Sequence, residues 1–236
     1  MTVLPTLRRC FSILPIIFII SMSRANNFAR LLFYIFVKIA VLVLLGLNVR
    51  RKELLPASGP AIIVANHNSH LDTLVLISLF PLKKLSKIHP IAAADYFLRN
   101  PVLAWFSSRI IGIIPIIRGK ASKAYDPLKP CCDALDNGDI IILFPEGTRG
   151  EPEQVSQFKK GVSHLAERYP TIPVTPVFIY GLGKALPKGD ALLVPFFCDI
   201  FIGKSLGFGG NRQEFMDELS EQFKVLANEK EIAPWE

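Results

Sequence analysis

From Val49 onward the sequence alternates short apolar runs with longer mixed stretches, and that rhythm constrains the fold more than any other feature. Runs at 61–65, 88–93, 113–117, 139–144, 173–179 and 196–202 have the length and the bounding Gly, Pro and polar residues of strands. Stretches at 72–80, 95–110, 121–136, 156–168 and 211–228 read as helices. Asn137-Gly138 is a good stop for the third of them, and Pro130 predicts a bend within it. Such alternation predicts an α/β fold: a mixed, largely parallel sheet flanked by helices, with active groups at the strand ends. A chain of 236 residues is long enough for one sizeable core with a small appendage.

The appendage is N-terminal. Residues 1–52 hold eight basic residues and no acidic one, whereas the remainder, with 19 basic and 20 acidic, is nearly neutral. Nucleic-acid binding wants basic residues spread over a folded face, so no nucleic-acid partner is expected. Cations interleaved with Phe, Ile and Leu fit an anionic membrane surface instead. Two apolar segments lie here, Cys10 to Ser21 and Phe28 to Leu47. The first is short and contains Pro15; the second is near spanning length but carries Lys38 at its middle, where a charge costs at least ~2.5 kcal/mol. The expected arrangement is two helices in residues 1–48 that enter one leaflet of a bilayer, followed by an α/β domain over 49–236. A single span through Leu31–Leu47 is the main rival, and a cleaved signal peptide ending near Ser23-Arg24-Ala25 a third reading. The cysteines, Cys10, Cys131, Cys132 and Cys198, show neither CxxC nor Cys/His ligand spacing. That pattern predicts reduced thiols and a domain on the cytoplasmic face of the membrane.

Asn66-His67-Asn68-Ser69-His70-Leu71-Asp72 falls where the first buried strand gives way to a helix. Across such a bend Asp72 can accept a hydrogen bond from His67 Nδ1, which fixes the tautomer and leaves Nε2 free to take a proton. The plainer reading is a helix cap beside two surface histidines. Ile140 to Phe144, the most strand-like run, ends in Pro145-Glu146-Gly147-Thr148-Arg149-Gly150. Glycine backbone, a hydroxyl and a forked cation together suit a phosphate, although an ordinary turn would use similar residues. Ile113 to Arg118 repeats the design, and Phe158-Lys159-Lys160-Gly161 adds two cations. In an α/β fold these strand ends point to one edge, which would bring a base with its orienting carboxylate beside a cluster of cations. Proton removal from a hydroxyl on a phosphate-bearing substrate wants both.

These stretches resemble, in order, the four sequence blocks of the glycerolipid acyltransferases. Asn66 to Asp72 is similar to their N-H-x-x-x-x-D block and Phe144 to Arg149 to their F-P-E-G-T-R block. Ile113 to Arg118 resembles the intervening arginine block, and Val174-Thr175-Pro176-Val177 the final V-x-P-V block. The nearest branch is the bacterial-type 1-acylglycerol-3-phosphate acyltransferases. The resemblance implies that His67 is the general base and Asp72 its orienter, with no acyl-enzyme. It makes Arg118 and Arg149 the expected phosphate contacts, supplemented by Lys159 or Lys160. Glu146 and Gly147 would align the glycerol portion, Thr148 is a further expected substrate contact, and Asn66 and Ser69 would shape the loop. The implied reaction moves a fatty acyl group from an acyl thioester to the free hydroxyl of a lysophospholipid, 1-acylglycerol-3-phosphate, giving phosphatidic acid. No metal or cofactor is implied beyond the co-substrate, acyl-CoA or an acylated carrier protein. The alternatives are an acyltransferase for another hydroxyl-bearing lipid and a non-catalytic lipid-binding protein on the same scaffold. A serine hydrolase built on Ser69 is disfavoured because no Gly-x-Ser-x-Gly elbow exists. A metal hydrolase using His67, His70 and Asp72 lacks supporting ligands in the sequence.

Overall fold

A computed structural model describes residues 23–97, 100–117, 126–148, 157–185 and 197–231. The described strands form one seven-stranded sheet: β1 (Gly46–Arg50), β2 (Ala61–Ala65), β3 (Ile88–Ala93), β4 (Ile114–Ile116), β5 (Ile140–Leu143), β6 (Val174–Tyr180) and β7 (Phe197–Ile202). Their spatial order is β1-β7-β6-β2-β5-β3-β4. Every neighbouring pair is parallel except β6–β7, so β1 and β7 run opposite to the other five. The expected α/β class, with a mixed and mostly parallel sheet flanked by helices, is what the chain adopts. All five residues of β2 are buried, as expected of a central strand covered on both faces.

Strand alternation divides the core in two. Ile63, Ala65, Ile140, Ile142, Val177 and Ile179 face one layer, shared with α1 (Ser23–Leu44) and α2 (Leu71–Ser78). Ile62, Val64, Ile141, Phe178 and Phe201 face the other. That second layer holds α4 (Lys129–Asp136), α5 (Gly161–Arg168) and α6 (Arg212–Asn228). A short α3 (Pro101–Phe106) lies beside α1, where the Phe106 and Phe33 rings meet edge-on at 5.3 Å.

Several boundaries differ from the sequence reading for identifiable reasons. The helix expected to run to Leu47 stops at Leu44, and Gly46–Arg50 pairs in parallel with β7, so the expected division after residue 48 falls inside a strand. The helix expected over 95–110 is broken: Asn100 caps a new start with Pro101 in its first turn, and a π turn over Ser107–Ile111 ends at Gly112. Pro130 sits in the first turn of α4, where its missing N–H leaves no bond unmade, so it begins that helix rather than bending it. Of the two N-terminal helices expected, the second is α1; Cys10 to Ser21 lies outside the described residues. Within 27–44, α1 is long and apolar enough to cross a membrane.

The strand at the edge, β1, fixes where α1 delivers the chain. Because β1 runs against β2, its first residue lies at the edge where β2, β5 and β6 end. The C-terminus of α1 therefore reaches the edge that carries His67.

Candidate active site

Asn66 is the first residue beyond β2, and its amide continues the ladder in place of a backbone. Its Nδ2 donates to Ile179 O (2.9 Å), and Ile179 N donates to its Oδ1 (2.7 Å). The chain is thus held against β6 at the point where it turns out of the sheet. This gives the expected loop-shaping residue a physical basis.

The next five residues fold around one carboxylate oxygen. Asp72, 0% exposed in the first turn of α2, accepts at Oδ2 from His67 Nδ1 (2.9 Å), Asn68 N (2.7 Å) and Ser69 N (2.8 Å). Three donors thus converge on one carboxylate oxygen in the first turn of the helix. Ser69 Oγ accepts from Leu71 N at 3.3 Å, tightening the same turn. With Nδ1–H committed to Asp72, the proton-accepting nitrogen of His67 is Nε2. The His67 side chain is 20% exposed, buried enough to be oriented and open enough to be reached. His70, three positions on, is exposed.

The turn after β5 closes over the same imidazole. Phe144 stacks on the His67 ring, with centroids 4.2 Å apart and planes inclined by 25°. Glu146, buried, accepts from His67 N through Oε1 at 3.0 Å. Gly147 N donates to Phe144 O, and its φ of 71° is the left-handed conformation that glycine adopts without strain. A Cβ there would come within 2.5 Å of Lys159 Nζ, so the lysine side chain lies directly over the glycine. Lys159 N donates to Pro145 O at 2.8 Å, tying the two segments together.

Of the residues expected at the site, the structure brings together Asn66, His67, Ser69, Asp72, Glu146, Gly147 and Lys159. Thr148 and Lys160 are exposed. Arg118 and Arg149 lie outside the described residues. β4 nevertheless runs parallel with β3, and β3 with β5, so Ile116 ends at the same edge as Leu143. Two contributions escaped the sequence reading. The Phe144 ring against His67 was foreshadowed only by an aromatic at a strand end, and the Asn68 N–H leaves no trace in residue type. On β7, burial foremost, with Asp199 and Asp72 adding to it, pushes the Cys198 thiol up to about 12.

Comparison with known proteins follows the same outline. A family model described as Acyltransferase matches residues 46–180. The chain is 34% identical over 145 residues to the chloroplastic 1-acyl-sn-glycerol-3-phosphate acyltransferase of Arabidopsis thaliana, covering 61% of this chain and 38% of that one. It is 34% identical over 142 residues to the 1-acyl-sn-glycerol-3-phosphate acyltransferase of Saccharomyces cerevisiae, covering 58% and 44%. The chain therefore spans less than half the length of these relatives. The fold is similar to the crystal structure of the 1-acyl-sn-glycerophosphate (LPA) acyltransferase of Thermotoga maritima, with a TM-score of 0.70 and 24% identity. That match covers 90% of this chain and 83% of the other.

Proposed function

Because the chain belongs to the acyltransferase family, we propose that it moves a fatty acyl group from an acyl thioester to the free hydroxyl of 1-acylglycerol-3-phosphate, forming phosphatidic acid. The observation that carries this reading is the imidazole of His67, pinned at Nδ1 by a buried carboxylate and covered on one face by Phe144.

His67 Nε2 accepts the hydroxyl proton as that oxygen attacks the thioester carbonyl. Collapse of the tetrahedral intermediate breaks the C–S bond, and the departing thiolate takes the proton back from the imidazolium. Acyl group, proton and thiol all balance without a covalent enzyme intermediate. General base catalysis of this kind contributes ~10²–10⁴-fold. Holding two amphiphiles at one spot supplies much of the rest. Asp72 keeps the imidazole in one tautomer and stabilises its charged form. In this scheme Arg118 and Arg149 bind the acceptor phosphate with help from Lys159 or Lys160, Gly147 lines the glycerol, and Thr148 adds a hydroxyl contact to the substrate. The donor is acyl-CoA or an acylated carrier protein.

The acceptor is a membrane lipid, and α1 fits a membrane seat. Tyr34, Val37, Val41 and Leu45 recur at helical spacing and are buried against the α/β domain along much of the helix. Phe28, Leu32, Phe36 and Leu42 face away from it and are exposed. A helix fastened lengthwise to its domain favours lying in one leaflet over standing across both. On this reading residues 1–48 anchor the chain and the α/β domain works on the cytoplasmic face.

The decisive experiment incubates purified protein with labelled acyl-CoA or acylated carrier protein and a panel of lysolipids, and identifies the product. Phosphatidic acid formed from 1-acylglycerol-3-phosphate is the expected result. Preference for another lysolipid would overturn the acceptor assignment, and no transfer with any pair would overturn the catalytic reading.

A further inference from the structure

The outward apolar face of α1 continues onto a second element. α3 starts at Asn100, whose side chain accepts from Val102 N at 2.8 Å, and its last residue, Phe106, packs on Phe33 of α1. The turn that follows is fastened to α1 as well: Arg30 Nη2 and Tyr34 OH both donate to Ile111 O at 3.3 Å. Gly112, at φ 85°, lies so close under the Arg30 guanidinium that a Cβ would collide with it. α3 is thus a rigid attachment to α1, yet Val102 is 72% and Trp105 44% exposed, with Leu103 also at the surface. Among the described residues, large apolar side chains are exposed on α1, on α3, at Ile117 and Phe197, and otherwise only at Val225 on α6. Contiguous apolar surface of this kind marks a contact site.

We propose that α3 is a second membrane-contact element, inserting Val102, Leu103 and Trp105 into the leaflet that receives the outer face of α1. The inference rests on the reading of α1 as membrane-seated. Lipid is favoured as the occupant because the patch is continuous with α1, whose 27–44 window has a mean hydropathy of 2.0. Charge agrees: neither α1 nor the 100–112 segment contains an acidic residue, whereas Lys38 and Arg109 are cationic, as an anionic headgroup layer favours. Trp105 pairs an apolar body with one polar N–H, the combination enriched at membrane–water boundaries. A single helix in a leaflet leaves the domain free to roll about the helix axis. A second contact removes that freedom and sets which edge of the sheet meets the bilayer.

The chain has two tryptophans, Trp105 and Trp235, so a full-length Trp235→Phe variant reports on Trp105 alone. It is mixed with phosphatidylcholine–phosphatidylglycerol vesicles carrying bromine on their acyl chains, and binding is checked by flotation. In floated protein the emission is expected to shift to shorter wavelength, acrylamide quenching to fall several-fold, and shallow bromines to quench more than deep ones. Floated protein whose Trp105 stays open to acrylamide and untouched by bromine would overturn the proposal. Protection without bromine quenching would also overturn it, assigning the patch to a second copy or to residues 1–22. Failure to float would remove the membrane reading of α1, and this proposal with it. In a second arm Trp105→Lys, still folded by circular dichroism, is expected to lower vesicle partitioning about tenfold; unchanged partitioning would count against the insertion of α3.

Discussion

The carboxyl end of β2 and the length of α1 differ in what they leave at the surface. At the end of β2 the polar groups turn inward on one another. One Asp72 oxygen takes three donors, Glu146 takes the His67 N–H, and the Asn66 amide closes a backbone ladder, all without substrate. On α1 Arg30 and Tyr34 turn inward, and the large side chains left outside are apolar, with Phe36 67% exposed and Leu42 81%. The first region holds its imidazole in place by contacts made within the domain itself. The second leaves large apolar side chains at its surface. Because β1 runs opposite to β2, the two regions converge on one edge of the sheet, and under the proposed function that edge is where a lipid acceptor would meet His67 Nε2.

The largest expected effect breaks the first region at its imidazole. His67→Ala should lower kcat for acyl transfer by ~10²–10⁴-fold. His70→Ala, an exposed imidazole on the same loop, should retain most activity; equal losses in steady-state assays would sink the assignment. Next in size is Arg149→Ala. Loss of a charge-assisted contact worth about 1.5–3 kcal/mol should raise KM for 1-acylglycerol-3-phosphate by about ten- to a hundredfold. KM for the thioester should change far less, and a parallel rise in both constants would remove the phosphate role.

The same contrast explains what the sequence made legible. Strand positions were readable because β2, β3 and β5 are bounded apolar runs, and the His67–Asp72 contact was readable because five residues across a strand–helix bend bring the side chains together. β1 was not readable: Gly46-Leu47-Asn48-Val49-Arg50 continues the apolar run of α1 with only a glycine to mark the change, and its pairing partner lies about 150 residues away in Phe197–Ile202. The break before α3 did carry a signal, an Asn–Pro pair at a helix start, which the apolar spacing around it masked. The role expected for Glu146 illustrates a different limit. Residue type admits a substrate contact and a loop contact alike, and only coordinates show Oε1 on the His67 N–H.

Glu146→Gln sharpens that distinction, with a smaller effect. If the carboxylate holds the His67 loop, the weaker acceptor should lower kcat about tenfold, a loss on the order of 1.4 kcal/mol, while KM for the acceptor holds. If it aligns the glycerol portion, KM for the acceptor should rise instead. Both readings predict impairment, so the ratio of the two constants is the informative quantity.

The smallest effect lies in the second region and is one of stability rather than rate. Arg30 is buried where α1 meets the sheet, donating to Ile88 O (3.1 Å) and to Ile111 O. Arg30→Met preserves much of the side-chain volume but leaves both carbonyls without this donor, at a cost of about 1–3 kcal/mol. For a domain of this size each kcal/mol corresponds to ~2–4 °C in Tm. Detergent-solubilised protein should therefore melt several degrees lower, with kcat per folded molecule nearly unchanged, because Arg30 donates to Ile88 and Ile111 rather than to the contacts that hold His67. A large fall in kcat at full folding would mean that α1 acts on the edge of the sheet through Ile111 and Gly112. The helix would then be part of the catalytic scaffold as well as its seat.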